Sequence, residues 1–220
     1  MSLRKTEQTQ FGYMGTRPMD KTKAKESLLE IKEIFDNLKI KFWLACGSCL
    51  GAVREGHFIP YDFDIDIIML VRDFSPKISG ELSKIAPLHF ERHWPDKLAF
   101  VSFSMNQIPI HIKLKYYFSP EDIYIWLHPR PHWQNCVMPG KSLRNDYRVN
   151  FLDTKFRVPN PPEEYLERLY GKNWRTPINP RFKGRYPHAK NLSWVKQRKL
   201  IPFAKFAEYV QWIEEHPKEF

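Results

Sequence analysis

Three aspartates, Asp62, Asp64 and Asp66, alternate with apolar residues in the segment YDFDIDIIML, residues 61–70. Successive side chains of a β-strand point to opposite faces, so this spacing predicts a strand that carries all three carboxylates on one face. Carboxylates this close repel each other unless a cation lies between them. Mg²⁺ and Mn²⁺ favour oxygen ligands, so Asp62, Asp64 and Asp66 are candidate ligands of such an ion.

A candidate phosphate-binding turn, Gly47-Ser48, precedes the aspartates. It follows the apolar run IKFWLA, residues 40–45, which predicts a buried strand, and it leads into a short predicted helix over 48–54. A glycine lets the backbone approach a ligand closely, and free amides at a helix N-terminus bind phosphate. Gly47 and Ser48 are therefore candidate phosphate ligands. Arg54 is a candidate for a bidentate contact with the same phosphate, or for an ion pair with one of the segment's own carboxylates.

The whole segment 47–67 resembles the central motif of the LicD-like phosphotransferases, the group that includes the fukutin-related proteins. The matching positions are Gly47, Ser48, Leu50, Gly51, Ala52, Arg54, Phe58, Ile59, Pro60, Tyr61, Asp62, Asp64 and Asp66. A weaker resemblance to the family's closing segment covers residues 156–177. Alternating acids alone are also typical of an edge strand with a solvated face, but a phosphate turn followed by an acidic strand is the layout of the nucleotidyltransferase fold. The resemblance therefore implies an α/β fold with a small mixed β-sheet flanked by helices.

The resemblance also implies an activity. A LicD-like enzyme would transfer a phosphorylated alcohol, such as phosphocholine or ribitol phosphate, from a CDP-activated donor to a sugar hydroxyl of a glycan or glycan precursor. Asp64 and Asp66 would then be catalytic and would hold Mg²⁺ (or Mn²⁺). Two other functions fit the same residues: a nucleotidyltransferase that moves NMP onto a small molecule, protein or RNA, and a catalytically weak nucleotide-binding protein.

One expected acid is missing from the sequence. Nucleotidyltransferase sites commonly place a third carboxylate on a neighbouring strand, but the corresponding stretch, residues 108–117, carries His111, Lys113 and Lys115 on one face and no acid. We expect this strand beside the aspartate strand, with Lys113 neutralising donor phosphate in place of a second metal ion. A neutral imidazole accepts protons near physiological pH, so His111 is the candidate base for the acceptor hydroxyl. The alternative is an edge strand on which both residues face solvent.

The composition describes a basic globular chain of 220 residues with a formal net charge of +10. Such a charge suits anionic partners, but no aromatic-basic RNA motif accompanies it, so nucleic-acid binding is not predicted. Three cysteines, with a C-x-x-C spacing at Cys46 and Cys49, provide neither a disulfide framework nor a complete zinc site and indicate a reducing compartment. Without a signal peptide or a membrane-spanning run, we expect a cytoplasmic protein or the soluble part of a membrane-anchored one.

The order of predicted elements gives one catalytic domain over 20–170. A flexible arm is expected over 1–19, and a basic, proline-rich segment followed by a helix is expected to pack on the same domain over 171–220. Helices are predicted over 20–39, 75–86, 161–170 and 194–215. A β-hairpin is predicted from strands 98–105 and 108–118, because both are rich in β-branched and aromatic residues around Asn106-Gln107.

Overall fold

A seven-stranded mixed β-sheet forms the centre of the computed structural model, which describes residues 18–93, 96–127, 137–177 and 203–219. Its strands are β1 (Phe42–Leu44), β2 (Ile65–Leu70), β3 (His89–His93), β4 (Lys97–Met105), β5 (Ile108–Phe118), β6 (Ile123–Ile125) and β7 (Val137–Pro139). The order is β1-β2-β5-β4-β3, and β6 and β7 extend the sheet from the end of β5. Strands β2 and β5 are parallel, whereas every other pair in this sheet is antiparallel.

Helices flank this sheet, so the predicted α/β architecture with a mixed sheet is confirmed. The helices are α1 (Lys21–Asn37), α2 (Cys46–Arg54), α3 (Pro76–Ser83), α4 (Lys141–Arg144), α5 (Pro162–Tyr170) and α6 (Phe203–Glu215). A separate hairpin consists of β8 (Arg148–Phe151) and β9 (Thr154–Arg157). Among the described residues, no helix combines the length and the apolar composition needed to cross a bilayer.

The two faces of the central strands differ in chemistry. On one face, where β2 pairs with β5, the two strands place only apolar side chains, which join α1 in the main core. On the other face, the parallel register sets Asp66 opposite His111, and Ile68 opposite Lys113. This alternation follows from the strand repeat of two residues. The polar face is therefore where chemistry can occur, and the apolar face anchors it.

Helix α1 shows why the predicted elements form where they do. The Asp20 side chain caps its N-terminus by accepting hydrogen bonds from the amides of Thr22 and Lys23. Leu28, Ile31 and Phe35, at three- and four-residue steps, are completely buried against the sheet. The helix predicted over 20–39 is therefore confirmed, two residues shorter at its C-terminal end.

The prediction of one strand through all three aspartates is wrong. Strand β2 begins at Ile65, so Asp62 and Asp64 lie in the loop that precedes it. The pairing of β2 with β5 starts at Ile65 and Ile110. The preceding residue of β5 is Pro109, which has no amide hydrogen to extend the ladder. Only Asp66 therefore has the fixed direction of a strand side chain.

Other boundaries differ from the predictions at particular residues. The phosphate turn is the first turn of α2, which begins at Cys46 rather than Ser48. Helix α5 has Pro161 as its N-cap, one residue after the predicted Asn160. It ends at Tyr170 and is capped by Gly171, whose φ is positive at 83°. The predicted C-terminal helix is described from Phe203. Residues 1–17 of the predicted arm and 178–202 of the basic segment lie outside the described residues.

The predicted hairpin is confirmed, with β4 and β5 joined through Asn106 and Gln107, whose φ angles are +52° and +68°. Both residues are therefore left-handed, a conformation that favours glycine at the second turn position. We expect Gln107→Gly to raise the free energy of unfolding by about 0.5 kcal/mol, measured by urea denaturation. Gln107→Ala is the control and should not stabilise the protein; equal stabilisation by both variants would show that φ is not the cause.

Candidate active site

Asp64, Asp66 and His111 converge at the start of β2, beside β5. Nδ1 of His111 lies 3.4 Å from Oδ2 of Asp64 and 3.7 Å from Oδ1 of Asp66. One possible ligand atom from each residue lies within 4.8 Å of the others, which is the spacing of a group that could hold a metal ion. The side chains of Asp64 and His111 are 33% and 29% exposed, so a substrate can reach them. The parallel pairing of β2 and β5 therefore brings His111 next to Asp64 and Asp66, which lie more than forty residues earlier in the chain.

Lys113 occupies the same face, one alternation further along β5. Its ammonium nitrogen lies 3.0 Å from Oδ1 of Asp66 and donates a hydrogen bond of 2.8 Å to the sulfur of Cys46. Burial alone would lower the pKa of Lys113, but Asp66 and Cys46 hold that pKa above its usual range. Burial likewise acts to raise the pKa of Asp66, but Lys113 and His111 outweigh it and keep that pKa low. Asp66 and Lys113 are therefore both charged.

The other two carboxyls carry a different electrostatic signature. Burial, with a contribution from Asp66, raises the pKa of Asp64 to about 6. Burial, with contributions from Asp64 and Asp66, raises the pKa of Asp62 well above its usual range. Oδ2 of Asp62 is buried and accepts no hydrogen bond within the described residues. Two carboxyls disfavoured as anions, next to a third that is ionised, form an oxygen-rich group that fits a divalent cation.

The start of α2 is held against this group by close contacts. A Cβ on Gly47 would lie 2.5 Å from Oδ2 of Asp62, so only glycine permits the observed approach. The hydroxyl of Tyr165 accepts the amide hydrogen of Cys46 at 3.1 Å. Ser48 is fully buried, and its Oγ accepts the amide hydrogen of Asp66 at 3.0 Å. The Ser48 hydroxyl thus positions the strand residue Asp66, and phosphate binding by the Gly47 and Ser48 amides stays a prediction.

Arg54 lies at the opposite end of α2 from Gly47, about 10 Å along the axis at a rise of about 1.5 Å per residue. Its Nε lies 2.7 Å from Oε1 of Glu55, and its Nη1 donates to the carbonyl of Trp174 at 3.0 Å. The ion-pair partner is therefore Glu55 and not one of the three aspartates. The predicted contact of Arg54 with a donor diphosphate stays a prediction.

Residues 39–161 match the family model described as LicD/FKTN/FKRP, nucleotidyltransferase domain. The chain belongs to this family. The matched region contains the whole central sheet, together with α2, Asp64, Asp66, His111 and Lys113. The predicted strand neighbourhood of residues 108–117 is confirmed by the register of β2 and β5, whereas the chemical roles of the residues stay predictions.

Several named proteins are similar to this member of the family. Ribitol-5-phosphate transferase FKTN of Mus musculus is 28% identical over 164 residues, covering 71% of this chain and 34% of the relative. Ribitol 5-phosphate transferase FKRP of Mus musculus is 22% identical, covering 67% and 31%. The chain thus spans about a third of the length of these relatives. The lincosamide antibiotic adenylyltransferase LnuA, solved with lincomycin bound, is 15% identical with a TM-score of 0.46, covering 78% of this chain and 95% of that structure.

Three contacts of the site were not predicted from the sequence. Cys46 and Tyr165 reach it from α2 and α5, and the ring of Phe100 lies 5.1 Å from that of His111 on the neighbouring strand. No local pattern predicts these contacts, because each contact joins elements separated in the chain. The alternation of β4 could have placed Phe100 on the His111 face once the register was known.

The close contact between Asp62 and Gly47 predicts that alanine has opposite effects on stability at Gly47 and at Gly80. Gly47→Ala should lower the free energy of unfolding, because its Cβ would overlap the Asp62 carboxyl. Gly80→Ala is the matched control: a Cβ there meets nothing within 4 Å, so alanine in this helix should stabilise by about 0.5–1 kcal/mol. Denaturation of both variants, and of Gly47→Ala combined with Asp62→Ala, measures the contact. Failure of the Asp62 truncation to restore stability would contradict this account of Gly47.

Proposed function

We propose that the protein transfers a phosphorylated alcohol, such as phosphocholine or ribitol phosphate, from a CDP-activated donor to a sugar hydroxyl of a glycan or glycan precursor. The observation that carries the proposal is the Asp64, Asp66 and His111 group, which lies within the region matched by the family model. The transferase names of the relatives support the choice of an alcohol phosphate. In this transfer the acceptor oxygen bonds to the phosphorus of the alcohol phosphate, and the phosphorus–oxygen bond to CMP breaks. CMP leaves with the electron pair.

Asp64 and Asp66 would hold Mg²⁺ or Mn²⁺, with Asp62 as an adjacent buried oxygen. The group fits such an ion because it offers carboxylate oxygens, one of them without a hydrogen-bond partner among the described residues. When bound, the ion would stabilise negative charge on the diphosphate. Lys113 supplies a fixed positive charge on the same face, in place of a second ion, and so favours an anionic donor at this site.

His111 would take the proton of the acceptor hydroxyl. Its ring is held by contact with Phe100, and Nδ1 faces the carboxylates of Asp64 and Asp66. A side chain on a central strand, fixed on two sides, is well suited to a positioned base. Nδ1 of His111 is also close enough to the carboxylates of Asp64 and Asp66 to bind the same metal ion. The alternative role of His111 is therefore that of a metal ligand.

A second candidate function, transfer of NMP, has one specific observation in its favour, since the matched family region is described as a nucleotidyltransferase domain. The two functions break different bonds of a CDP-alcohol. Transfer of the alcohol phosphate releases CMP, whereas transfer of CMP releases the alcohol phosphate.

Mass spectrometry of reactions with CDP-ribitol or CDP-choline and a panel of glycan acceptors tests the proposal. Release of the alcohol phosphate, or attachment of CMP to the acceptor, would contradict it.

The metal-binding role predicts that Asp64→Asn weakens Mn²⁺ binding strongly, measured by titration calorimetry. Asp64 is the sharper target than Asp66, because replacing Asp66 would also leave the buried Lys113 ammonium without its carboxylate. Asp73→Asn, beyond the other end of β2, is the control carboxylate and should leave Mn²⁺ binding unchanged. Unaltered Mn²⁺ affinity in Asp64→Asn would rule out this ligand set.

If His111 acts as the base, its replacement should impair transfer without impairing metal binding. His111→Gln should lower the rate of transfer by about 10²–10⁴-fold, the usual contribution of a positioned base. Its Mn²⁺ affinity should stay close to that of the parent protein. Loss of Mn²⁺ affinity would assign His111 as a metal ligand instead, and full turnover would exclude both roles.

A further inference from the structure

The indole ring of Trp126 lies against two lysines of the polar face. The ammonium nitrogens of Lys113 and Lys115 are 5.4 and 5.8 Å from its ring centroid, which is within the range of a cation–π interaction. Lys113 is the lysine that pairs with Asp66, at 3.0 Å. Trp126 therefore contacts the positive charge that faces the metal-binding group, although the chemistry assigned above gives it no role.

Lys113 has space to move away from its ion pair. Its side chain and that of Trp126 both line a cavity of about 180 Å³. A lysine ammonium sits on a flexible four-carbon stem, and Asp66 and Cys46 hold it from the side of β2 and α2. The negative face of the Trp126 ring attracts the same ammonium, and such an attraction is stronger where water is excluded. The ring therefore opposes movement of the ammonium into the cavity.

Trp126 is itself fixed at its polar edge and on its apolar surface. Its Nε1 donates a hydrogen bond of 2.9 Å to the carbonyl of Ala99 on β4. The ring packs against a cluster of buried apolar side chains that includes Phe206 and Val210 of α6. Helix α6 lies outside the region matched by the family model. A helix beyond the matched region therefore helps to fix the ring that lies against Lys113.

We propose that Trp126 is a positioning residue that holds the Lys113 ammonium beside Asp66, and that α6 holds Trp126 in place. The inference rests on the proposed function for the role of Lys113 in attracting the phosphates of the donor. A charge that is already held in position binds an anion more tightly, because less side-chain freedom is lost on binding. Weakening the contact with the ring should therefore weaken anion binding at Lys113, although its charge is still present.

Fluorinated tryptophans at position 126 test the cation–π contact. Each added fluorine weakens the negative face of the ring, while the size of the ring and its Nε1–H donor change little. Metal-free titration calorimetry with inorganic pyrophosphate measures anion binding without transfer. Pyrophosphate affinity should fall stepwise, by about tenfold in total for the tetrafluorinated ring. The same series at Trp43, a buried ring of β1 that makes no cation–π contact among the described residues, is the control and should leave the affinity unchanged.

A double-mutant cycle separates an effect through Lys113 from a general effect on the fold. Trp126→Leu should weaken pyrophosphate binding by about tenfold in the wild-type background and in Lys115→Met, but have little effect in Lys113→Met. Trp126→Phe should recover part of the affinity, because it keeps an aromatic face. Lys113→Met leaves Asp66 without its partner. Where that variant does not fold, the fluorinated series still tests the contact.

The role of α6 is tested by fluorine NMR of a 5-fluorotryptophan placed at position 126. Phe206→Leu, in the cluster that packs against this ring, should shift the fluorine resonance and weaken pyrophosphate binding. Phe35→Leu makes the same change at an equally buried ring of the main core and should alter neither. A resonance and an affinity that are unchanged in Phe206→Leu would exclude α6 from the proposal.

Four results overturn the role of Trp126. They are equal pyrophosphate affinity across the fluorinated series, an equal loss in the series at Trp43, an undiminished effect of Trp126→Leu in Lys113→Met, and no pyrophosphate binding by the wild type. Turnover of CDP-ribitol by Trp126→Leu with an unchanged KM overturns the inference while the proposed function stands. Pyrophosphate binding that depends on fluorination at position 126, without any transfer by the wild type, overturns the function while the inference stands.

Discussion

Asp66 and Lys113 form an ion pair largely shielded from water, and the arrangement of the site depends on it. The two side chains are 11% and 13% exposed, with nitrogen and oxygen 3.0 Å apart. Removing one partner of a buried pair typically costs about 3–5 kcal/mol, because the other charge is left without compensation. The pair also ties β2 to β5 on the polar face, where the hydrophobic effect contributes least. The ion pair therefore holds β2 and β5 together on the polar face, as apolar packing does on the other face.

The backbone of Asp66 is fixed as firmly as its side chain. Its amide donates to Oγ of Ser48, and its carbonyl accepts the amide hydrogen of Ala45 at 2.9 Å. Both partners lie at the junction of β1 and α2, so the strand and the start of the helix form one unit. Gly47 then brings this unit against Asp62. A short loop, a buried serine and a glycine thus give Asp66 a defined direction before any ligand binds.

Local patterns could be predicted from the sequence, whereas among the long-range contacts only the pairing of the aspartate strand with the strand of His111 was predicted. The hairpin around Asn106-Gln107 and the face of α1 were predicted because each depends on neighbours a few residues away. The predicted start of β2 was wrong because the pairing of β2 begins only after Pro109, which lies on a strand far along the chain and has no amide hydrogen. The hairpin of β8 and β9 was missed because its strands are short and rich in polar residues, with Leu152 and Asp153 at positive φ. The family resemblance placed Asp64, Asp66 and the strand of His111 at the site, and the structure adds the register that sets Asp66 opposite His111.

The charge of the site explains how a third acid can be absent. Asp64 and Asp66 as anions contribute two negative charges and Lys113 one positive charge, while burial favours the neutral form of Asp62. One bound divalent cation would leave a net charge of about +1. Three carboxylates with two divalent cations would leave the same value, as in a two-metal site. A lysine in place of the third acid would therefore preserve the attraction for the diphosphate of the proposed donor with one ion fewer, and would leave proton transfer to another side chain, for which we propose His111.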